Sequence, residues 1–206
     1  MFFKKEKEFQ YHPAIIKMIE DIVGGGTISR TDLRMAIFDN KPLEELPPYC
    51  IVGRNENGGW HVVKTALVVE AAAEAATTYK VDKSHLFAIN DCITVGGDLK
   101  SIACKITAID KSNPAHDIIT VDSTIGSATT SDVLIGVKEK ADAGSAKLLV
   151  DASELTITMS KVDLTVANQS CGLMVRGTIN EGNMPFPVDA GLKALMPLIR
   201  FVNKKS

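Results

Sequence analysis

The chain has few aromatic side chains and no dominant charge, and these two shortages exclude classes of function. Aromatic residues make up 5 % of its 206 residues, with a single tryptophan, Trp60. Platforms on which bases or sugars stack are therefore scarce. The formal net charge is −2, whereas nucleic-acid binders present a basic face because neutralised phosphates supply much of their affinity. The sequence therefore predicts no nucleic acid as a partner.

Paired cysteines are also missing. The chain has four cysteines, none in a C-x-x-C pair: Cys50, Cys92, Cys104 and Cys171. A structural zinc site normally needs such pairs, so no metal site is expected. In a reducing compartment, we expect the four thiols to behave as small buried or half-buried hydrophobic groups.

Long apolar runs are absent as well. The most apolar segment is TALVVEAAAEAA, which Glu70 and Glu74 interrupt, and no run approaches the ~18 residues that a membrane-spanning helix needs. The first ten residues, MFFKKEKEFQ, have no apolar core of signal-peptide length. We therefore expect no membrane partner, and a protein made and kept in a cytoplasm or in a particle assembled there.

The N-terminal 48 residues predict two short helices and an extended arm. In PAIIKMIEDIVGGG, Pro13 suits a first helical position and Gly24 suits a helix end. The apolar residues between them follow helical spacing: Ile15, Met18, Ile19 and Ile22. A second helix is predicted in SRTDLRMAIF, capped by Ser29. NKPLEELPPYC follows as an extended arm, because its paired prolines exclude a helix.

Two helices around a glycine turn invite a DNA-binding interpretation. The second helix offers only Arg30 and Arg34 to phosphates, and Asp32 would oppose them. The sequence therefore disfavours that interpretation.

From residue 50 the apolar period changes to two, which is typical of strands. A hairpin is predicted with strands over 50–54 and 60–69 and a turn over 55–59. Short strands then alternate with turns in TTYKV, HLFAI, CITV, IACKITAID, DIITVDS and VLIGV, and a second β-rich section covers 148–179. The C-terminus predicts a short helix in VDAGLKALMP, capped by Asp189, and a last strand in LIRFV.

The predicted fold is mainly β (α+β). A small antiparallel β-barrel or sandwich forms the body, with short N-terminal helices and a short C-terminal helix. Three sections follow from this pattern: 1–48 as a helical segment and Pro-rich arm, 49–140 as a β-hairpin and small β-barrel, and 141–206 as a β-rich section with the short helix and final strand.

The stretch VDKSHLFAINDCITVGGD, residues 81–98, holds the densest group of chemically active residue types. His85, Asp91 and Cys92 lie within eight positions. If 85–89 is a strand, His85 lies half-solvated at its edge, Asn90-Asp91 forms a turn and Cys92 opens the next strand. We expect local structural roles, since this places Cys92 away from any helix N-terminus that would lower its pKa.

Other catalytic patterns fail on spacing. The remaining histidines, His12, His61 and His116, show no H-x-x-H, H-E-x-x-H or C-x-x-H pattern. AGSAK lacks the second glycine of a nucleophile elbow. The glycines at 24–26 follow a predicted helix and so do not form a dinucleotide loop. The sequence predicts no catalytic, cofactor or metal residues, and a protein that is not an enzyme.

Three segments resemble one known family. They are LPPYCIVGRNENGGWHVVKTALVVE, the pair HLFAINDCITVG and KITAIDKSNPAHDIITVD, and GLMVRGTINEGNMPFPVDAGLKALMPLIRFV, which together cover most of residues 46–202. The chain resembles bacteriophage head fibre proteins, including those of phages and prophages of gut bacteria. The family usually has Gly-Asp at the barrel turn where this chain has Asn90-Asp91, a mild change because asparagine tolerates positive φ.

The resemblance implies a structural virion protein on the capsid surface, made in the bacterial cytoplasm. It implies a homotrimer that binds the major capsid protein without catalysis. No heptad run is present, so a compact knob is expected rather than a coiled-coil fibre. The N-terminal helices and Pro-rich arm are the expected capsid contact. The alternative is a small β-barrel binding module for glycan or nucleic acid that requires Trp60.

Overall fold

The computed structural model describes residues 12–38, 41–167 and 169–204. The first ten residues, interpreted above as lacking a signal peptide, lie outside these ranges. The described residues form eighteen strands, three 3₁₀ helices and one short α-helix. The prediction of a mainly β chain with antiparallel sheets is therefore confirmed, and the body is of sandwich type rather than a closed barrel.

The strands are short and follow one another closely along the chain. In order they are β1 Ile15–Asp21, β2 Gly26–Thr27, β3 Ile37–Phe38, β4 Lys41–Pro42, β5 Glu45–Leu46, β6 Ile51–Arg54, β7 Trp60–Val62, β8 Thr65–Leu67, β9 Thr78–Val81, β10 Cys92–Val95, β11 Cys104–Asp110, β12 Asp117–Val121, β13 Val133–Val137, β14 Thr156–Thr158, β15 Val162–Asp163, β16 Ser170–Cys171, β17 Leu173–Asn180 and β18 Ile199–Val202. The helices are the 3₁₀ turns Thr31–Leu33, Ala152–Glu154 and Glu181–Asn183 and the α-helix α1, Ala190–Ala194.

Two six-stranded sheets make up most of the body. The first has the order β1-β17-β14-β6-β7, with β18 also paired to β17, and the second has the order β8-β13-β10-β11-β12-β9. Three small two-stranded sheets accompany them: β15-β5, β16-β2 and β3-β4. The first sheet takes strands from all three predicted sections, 1–48, 49–140 and 141–206, so those sections are not separate sheets.

Three apolar clusters fill the body. One joins the first sheet, through residues such as Ile157 and Met174, to Ile135 of the second sheet and to Leu192 of α1. A second covers the other face of the first sheet and includes Trp60. The third lies within the curled second sheet. Each fully buried Leu or Ile side chain contributes roughly 1.5–3 kcal/mol.

The second sheet curls until its end strands approach each other. Val68, just after β8, and Val81, at the end of β9, form an antiparallel bridge. Val69 N–H also donates to Lys80 O at 3.0 Å, and Asp82 N–H donates to Leu67 O at 2.9 Å. These bonds pair the two end strands of the second sheet, β8 and β9, with each other over a short stretch, so that part of each edge has backbone partners.

The predicted N-terminal helix over residues 13–24 is wrong, because Ile15–Asp21 is strand β1. It pairs antiparallel with β17 and has three register shifts. The spacing of the apolar residues predicted a helix because it lacks the alternation typical of a strand. Both faces of β1 are exposed, so its sequence needs no alternation of apolar and polar residues. Isoleucine favours strands, and β17 offers backbone partners that local propensity does not foresee.

The second predicted helix, over 29–38, is also wrong. Only Thr31–Leu33 is helical, as a 3₁₀ turn, and Ile37–Phe38 is strand β3. Ser29 does not cap it as predicted, because the N-cap is Arg30 with no side-chain cap bond, although the Ser29 hydroxyl accepts from Thr31 N–H at 3.3 Å. The DNA-binding interpretation loses its basis, because neither of the helices it requires is present.

The Pro-rich arm is extended as predicted but does not project from the body. Leu46 is fully buried, and both Pro47 and Pro48 are buried beside it. Strand β5 within the arm pairs with β15. The arm is therefore part of the packed body, which contradicts the expectation that it is free to dock on a capsid.

The hairpin and the C-terminus follow the sequence prediction closely. Strands β6 and β7 pair around a turn in which Gly58 has φ of 79°. The predicted strand over 60–69 is divided, since β7 belongs to the first sheet and β8 to the second. Asp189 caps α1 by accepting from Leu192 N–H at 2.8 Å, as predicted.

Candidate functional site

The segment around His85 is buried rather than half-solvated, which corrects the sequence prediction. His85 is 0 % exposed, and residues 85–88 belong to no strand. Its Nδ1 accepts from Phe87 N–H at 3.2 Å, and its Nε2 lies 3.1 Å from Asp117 Oδ2. The proton of the neutral ring is therefore on Nε2, which donates to Asp117.

Asp117 is the centre of a buried charge cluster. Its side chain is 1 % exposed and accepts from Lys83 Nζ at 2.6 Å and from Lys111 Nζ at 2.7 Å, in addition to His85. Burial opposes its ionisation, but the hydrogen bonds from Lys111 and Lys83 outweigh burial and lower the pKa of Asp117. The cluster ties the loop over 82–88 and the end of β11 to β12.

The same contacts remove His85 from proton transfer. Burial, followed by the positive charge of Lys111, lowers the pKa of His85 to about 4. Both ring nitrogens are already hydrogen-bonded, one to a backbone amide and one to a carboxylate. A general base must lie within reach of the proton it abstracts, and His85 is 0 % exposed.

The Asn90-Asp91 turn has the structural role expected from the sequence. Asn90 has φ of 78°. Asp91 Oδ2 accepts from Ala88 N–H at 2.8 Å and from Lys64 Nζ at 2.7 Å. Lys64 is 7 % exposed and lies between β7 and β8. The ion pair therefore holds the turn against the segment that connects the two six-stranded sheets.

The thiols are poor nucleophiles in this structure. Cys92 opens β10 as predicted, and burial raises its pKa. Burial also raises the pKa of Cys50 and Cys104, and it raises that of Cys171 to about 11. All four are free, three of them buried and Cys92 half-buried, which confirms the expected environment.

One pair was not foreseen from the sequence. His61 Nδ1 contacts Asp32 Oδ2, joining β7 to the N-terminal 3₁₀ turn. Asp32 also lines a cavity of about 190 Å³ together with Lys64, Asp91 and Cys92. The charged side chains of its lining are already engaged with protein groups: Lys64 with Asp91, Asp32 with the His61 ring and Lys138 with Glu56. No local signal predicts a pair 29 residues apart.

A larger groove of about 620 Å³ lies beside the β6–β7 turn. Its lining includes three basic and three acidic side chains: Arg54, Lys138, Lys147, Glu56, Asp151 and Glu154. Two pairs of these meet, Arg54 with Glu154 at 3.7 Å and Lys138 with Glu56 at 3.3 Å. The balanced charges give no preference for a polyanion.

Trp60 is part of the core. It is 8 % exposed and belongs to the cluster on the outer face of the first sheet. The guanidinium of Arg54 lies 5.7 Å from the centre of its ring, and a side chain at Gly26 would collide with the indole at 2.5 Å. With 8 % of its surface exposed and Arg54 packed on its ring, the indole offers little area on which a sugar or base could stack.

Polar groups in the interior of the described chain are satisfied. Every buried side-chain nitrogen or oxygen there has a hydrogen-bond partner except Glu181 Oε2, which pairs with Lys193 Nζ. Within residues 12–38, 41–167 and 169–204, no three His, Cys, Asp or Glu side chains are placed to hold a metal ion. No helix in these ranges is long and apolar enough to cross a membrane.

Several large apolar side chains are exposed on the surface of the described chain. Ten large hydrophobic residues of the described chain are exposed, and four lie together in or next to β1: Ile16, Met18, Ile19 and Val23. Such clustering marks contact surfaces more often than isolated exposed residues do.

Comparisons of the chain with protein-family models, with curated proteins and with solved structures find no match.

Proposed function

We propose that this protein is a structural subunit of a phage virion that decorates the outside of the capsid. It acts through protein–protein contacts with the major capsid protein, as head fibre proteins do, and is made in the bacterial cytoplasm. Three copies form the working unit in this proposal. No catalytic step is part of it.

One observation carries the proposal. Two ionisable side chains of the sequence's densest group, His85 and Asp91, are bound to Asp117, to Lys64 and to backbone amides, while apolar side chains are exposed in and next to an edge strand. Groups that hold each other in place are unsuited to reacting with a substrate, and exposed apolar edges are typical of contact surfaces. The family resemblance supplies the identity of the contact partner.

The alternative, a binding module for glycan or nucleic acid, has weaker support. It required Trp60, which is buried with Arg54 packed on its ring. The large groove carries equal numbers of acidic and basic residues, so it lacks the positive field that a nucleic acid requires.

The proposal is tested by mixing the purified chain with assembled heads of the phage whose genome encodes it. We expect saturable co-sedimentation at a fixed number of copies per head, unaffected by added oligonucleotide or glycan. The control is the same chain with heads of an unrelated phage. Binding to oligonucleotides or glycans with no binding to heads would contradict the proposal, as would flanking genes unrelated to capsid, portal or protease.

A further inference from the structure

A cleft of about 530 Å³ lies between β2, the 3₁₀ turn Thr31–Leu33 and the tip of the β6–β7 turn. The described residues that line it include Arg30 and Arg34 but no aspartate or glutamate. We call it the arginine cleft. The groove of about 620 Å³ has equal numbers of acidic and basic side chains. The arginine cleft is therefore a positive recess in a chain whose formal net charge is −2.

The local backbone places the two arginines together. Arg30 and Arg34 have right-handed helical φ and ψ at the start and the end of the 3₁₀ turn, and residues four apart in helical backbone lie on one face. Asp32, two positions from each, lies on another side of the turn. There its carboxylate contacts His61 Nδ1 and lines the cavity of about 190 Å³. The acid between the arginines in the sequence is therefore directed away from the cleft and has another partner.

Arg30 is held in position by groups that do not neutralise it. Its Nη1 donates to Leu164 O at 3.4 Å and to Thr165 O at 3.2 Å. Carbonyl oxygens carry no net charge, and the donors on Nε and Nη2 of the guanidinium remain for a ligand. Arg34 is exposed and has no ion pair with any described residue. Both guanidinium groups therefore keep an uncompensated charge beside the cleft.

Two hydroxyl groups add neutral donors to the same lining. Ser29 Oγ accepts from Thr31 N–H at 3.3 Å, which leaves the hydroxyl hydrogen of Ser29 free to donate. The side chain of Thr31 is exposed in the cleft. A ligand with several oxygen acceptors would match this set of donors.

Glycines leave space in front of these donors. Gly25, Gly26, Gly58 and Gly59 all belong to the lining. Packing requires at least one of them, since a side chain at Gly26 would meet the Trp60 indole at 2.5 Å. The result is a wall of bare backbone around a recess of about 530 Å³, a volume within the roughly 300–1,000 Å³ that is usual for small-molecule sites.

We propose that the arginine cleft binds a small molecule through an oxyanion group, a phosphate or a carboxylate, which Arg30 and Arg34 hold with charge-assisted hydrogen bonds. The planar guanidinium matches the paired oxygens of either group. Ser29 and Thr31 donate to further oxygens of the same ligand. Nucleic acid is not the expected ligand, because two cations neutralise too few phosphates to supply its affinity.

This site goes beyond the proposed function and rests on a separate observation. Ligand binding in the cleft needs no capsid, and binding to heads needs no small ligand. Failure of one would therefore leave the other intact.

The test is isothermal titration calorimetry of the full chain at pH 7 with three probes built on one sugar ring: glucose 6-phosphate, glucuronate and glucose. We expect at least one of the two acidic probes to bind, and the tighter one identifies the oxyanion that the site prefers. Its affinity should fall with added salt, which screens exposed charges. Neutral glucose should not bind.

Substitutions separate the cleft from general attraction of anions. Arg34→Gln removes a guanidinium without an ion pair in the described chain, so the fold should be kept while affinity falls at least about tenfold. Thr31→Glu adds an acid to the lining, keeps both arginines and should weaken binding by at least as much. The matched control is Arg200→Gln on β18, an exposed arginine outside the lining, which should leave affinity unchanged.

Arginine modification supplies a second measurement that needs no variant. Phenylglyoxal reacts with exposed arginines, and mass spectrometry locates the adducts. The tighter acidic probe should protect Arg34 and leave Arg200 reactive. Failure of both acidic probes to bind, binding of glucose as tight as theirs, or equal losses in Arg34→Gln and Arg200→Gln would each overturn the proposal.

Discussion

Replacing Asp117 by asparagine tests whether the buried charge cluster serves the fold. The carboxylate is 1 % exposed and accepts hydrogen bonds from Lys83, Lys111 and His85. Asparagine keeps the shape but turns one acceptor oxygen into a donor, which then faces groups that also donate. The variant loses the counter-charge of two lysines at once.

Removing one partner of a buried ion pair costs about 3–5 kcal/mol. Lys83 and Lys111 are 30 % and 21 % exposed, so both ammonium groups regain some water when the carboxylate is lost. We therefore expect Asp117→Asn to lower the free energy of unfolding by about 2–4 kcal/mol. At roughly 2–4 °C per kcal/mol for a chain of this size, the melting temperature should fall by about 5–15 °C.

Urea unfolding at pH 7 and scanning calorimetry both measure this change. The matched control is Asp110→Asn at the end of β11. Asp110 Oδ1 accepts from Ser112 N–H at 2.9 Å, and an asparagine oxygen can accept the same bond, so we expect little change. Equal effects of the two substitutions, or a stable Asp117→Asn variant, would refute the reasoning that Asp117 is a structural anchor.

Three further predictions follow from other groups. The pKa of His85 is lowered to about 4 from an ordinary 6.5, so the unfolded chain binds more protons than the folded chain between those pH values. The free energy of unfolding should therefore fall from pH 7 to pH 4 by up to about 3 kcal/mol. Urea titrations of His85→Gln over the same pH range should show a smaller fall. Gly26→Ala should cost about 1–3 kcal/mol in the same assay, since the new Cβ meets Trp60 at 2.5 Å, whereas Gly59→Ala has its nearest contact at 3.2 Å and should cost less. Burial raises the pKa of Cys92, so a thiol reagent at pH 7 should label it far more slowly in the folded chain than in urea; equal rates would contradict its placement.

Local features of the sequence predicted much of the second sheet. Val133–Val137 is the strand that VLIGV indicates, and Cys92–Val95 follows the Asn90-Asp91 turn as expected. The cap of α1 by Asp189 was also readable, because the capping residue lies three positions before its bond partner. These elements are determined by neighbouring residues.

The rest depends on residues far apart in the chain. His85 and Asp117 are 32 positions apart, and their pairing buries a histidine that the local pattern placed at a solvated edge. The strand character of β1 depends on β17, more than 150 positions later, which supplies its backbone partners. Only the fold itself brings these segments together, so spacing and periodicity cannot reveal them.

Electron microscopy of phage heads incubated with the purified chain tests the central claim most directly. If the protein acts by contact with the assembled capsid, density of its size should appear on the outer surface at one repeated position, and should saturate as the chain is added. Heads that remain bare at saturating concentration, while the same preparation of the chain is folded, would contradict the account.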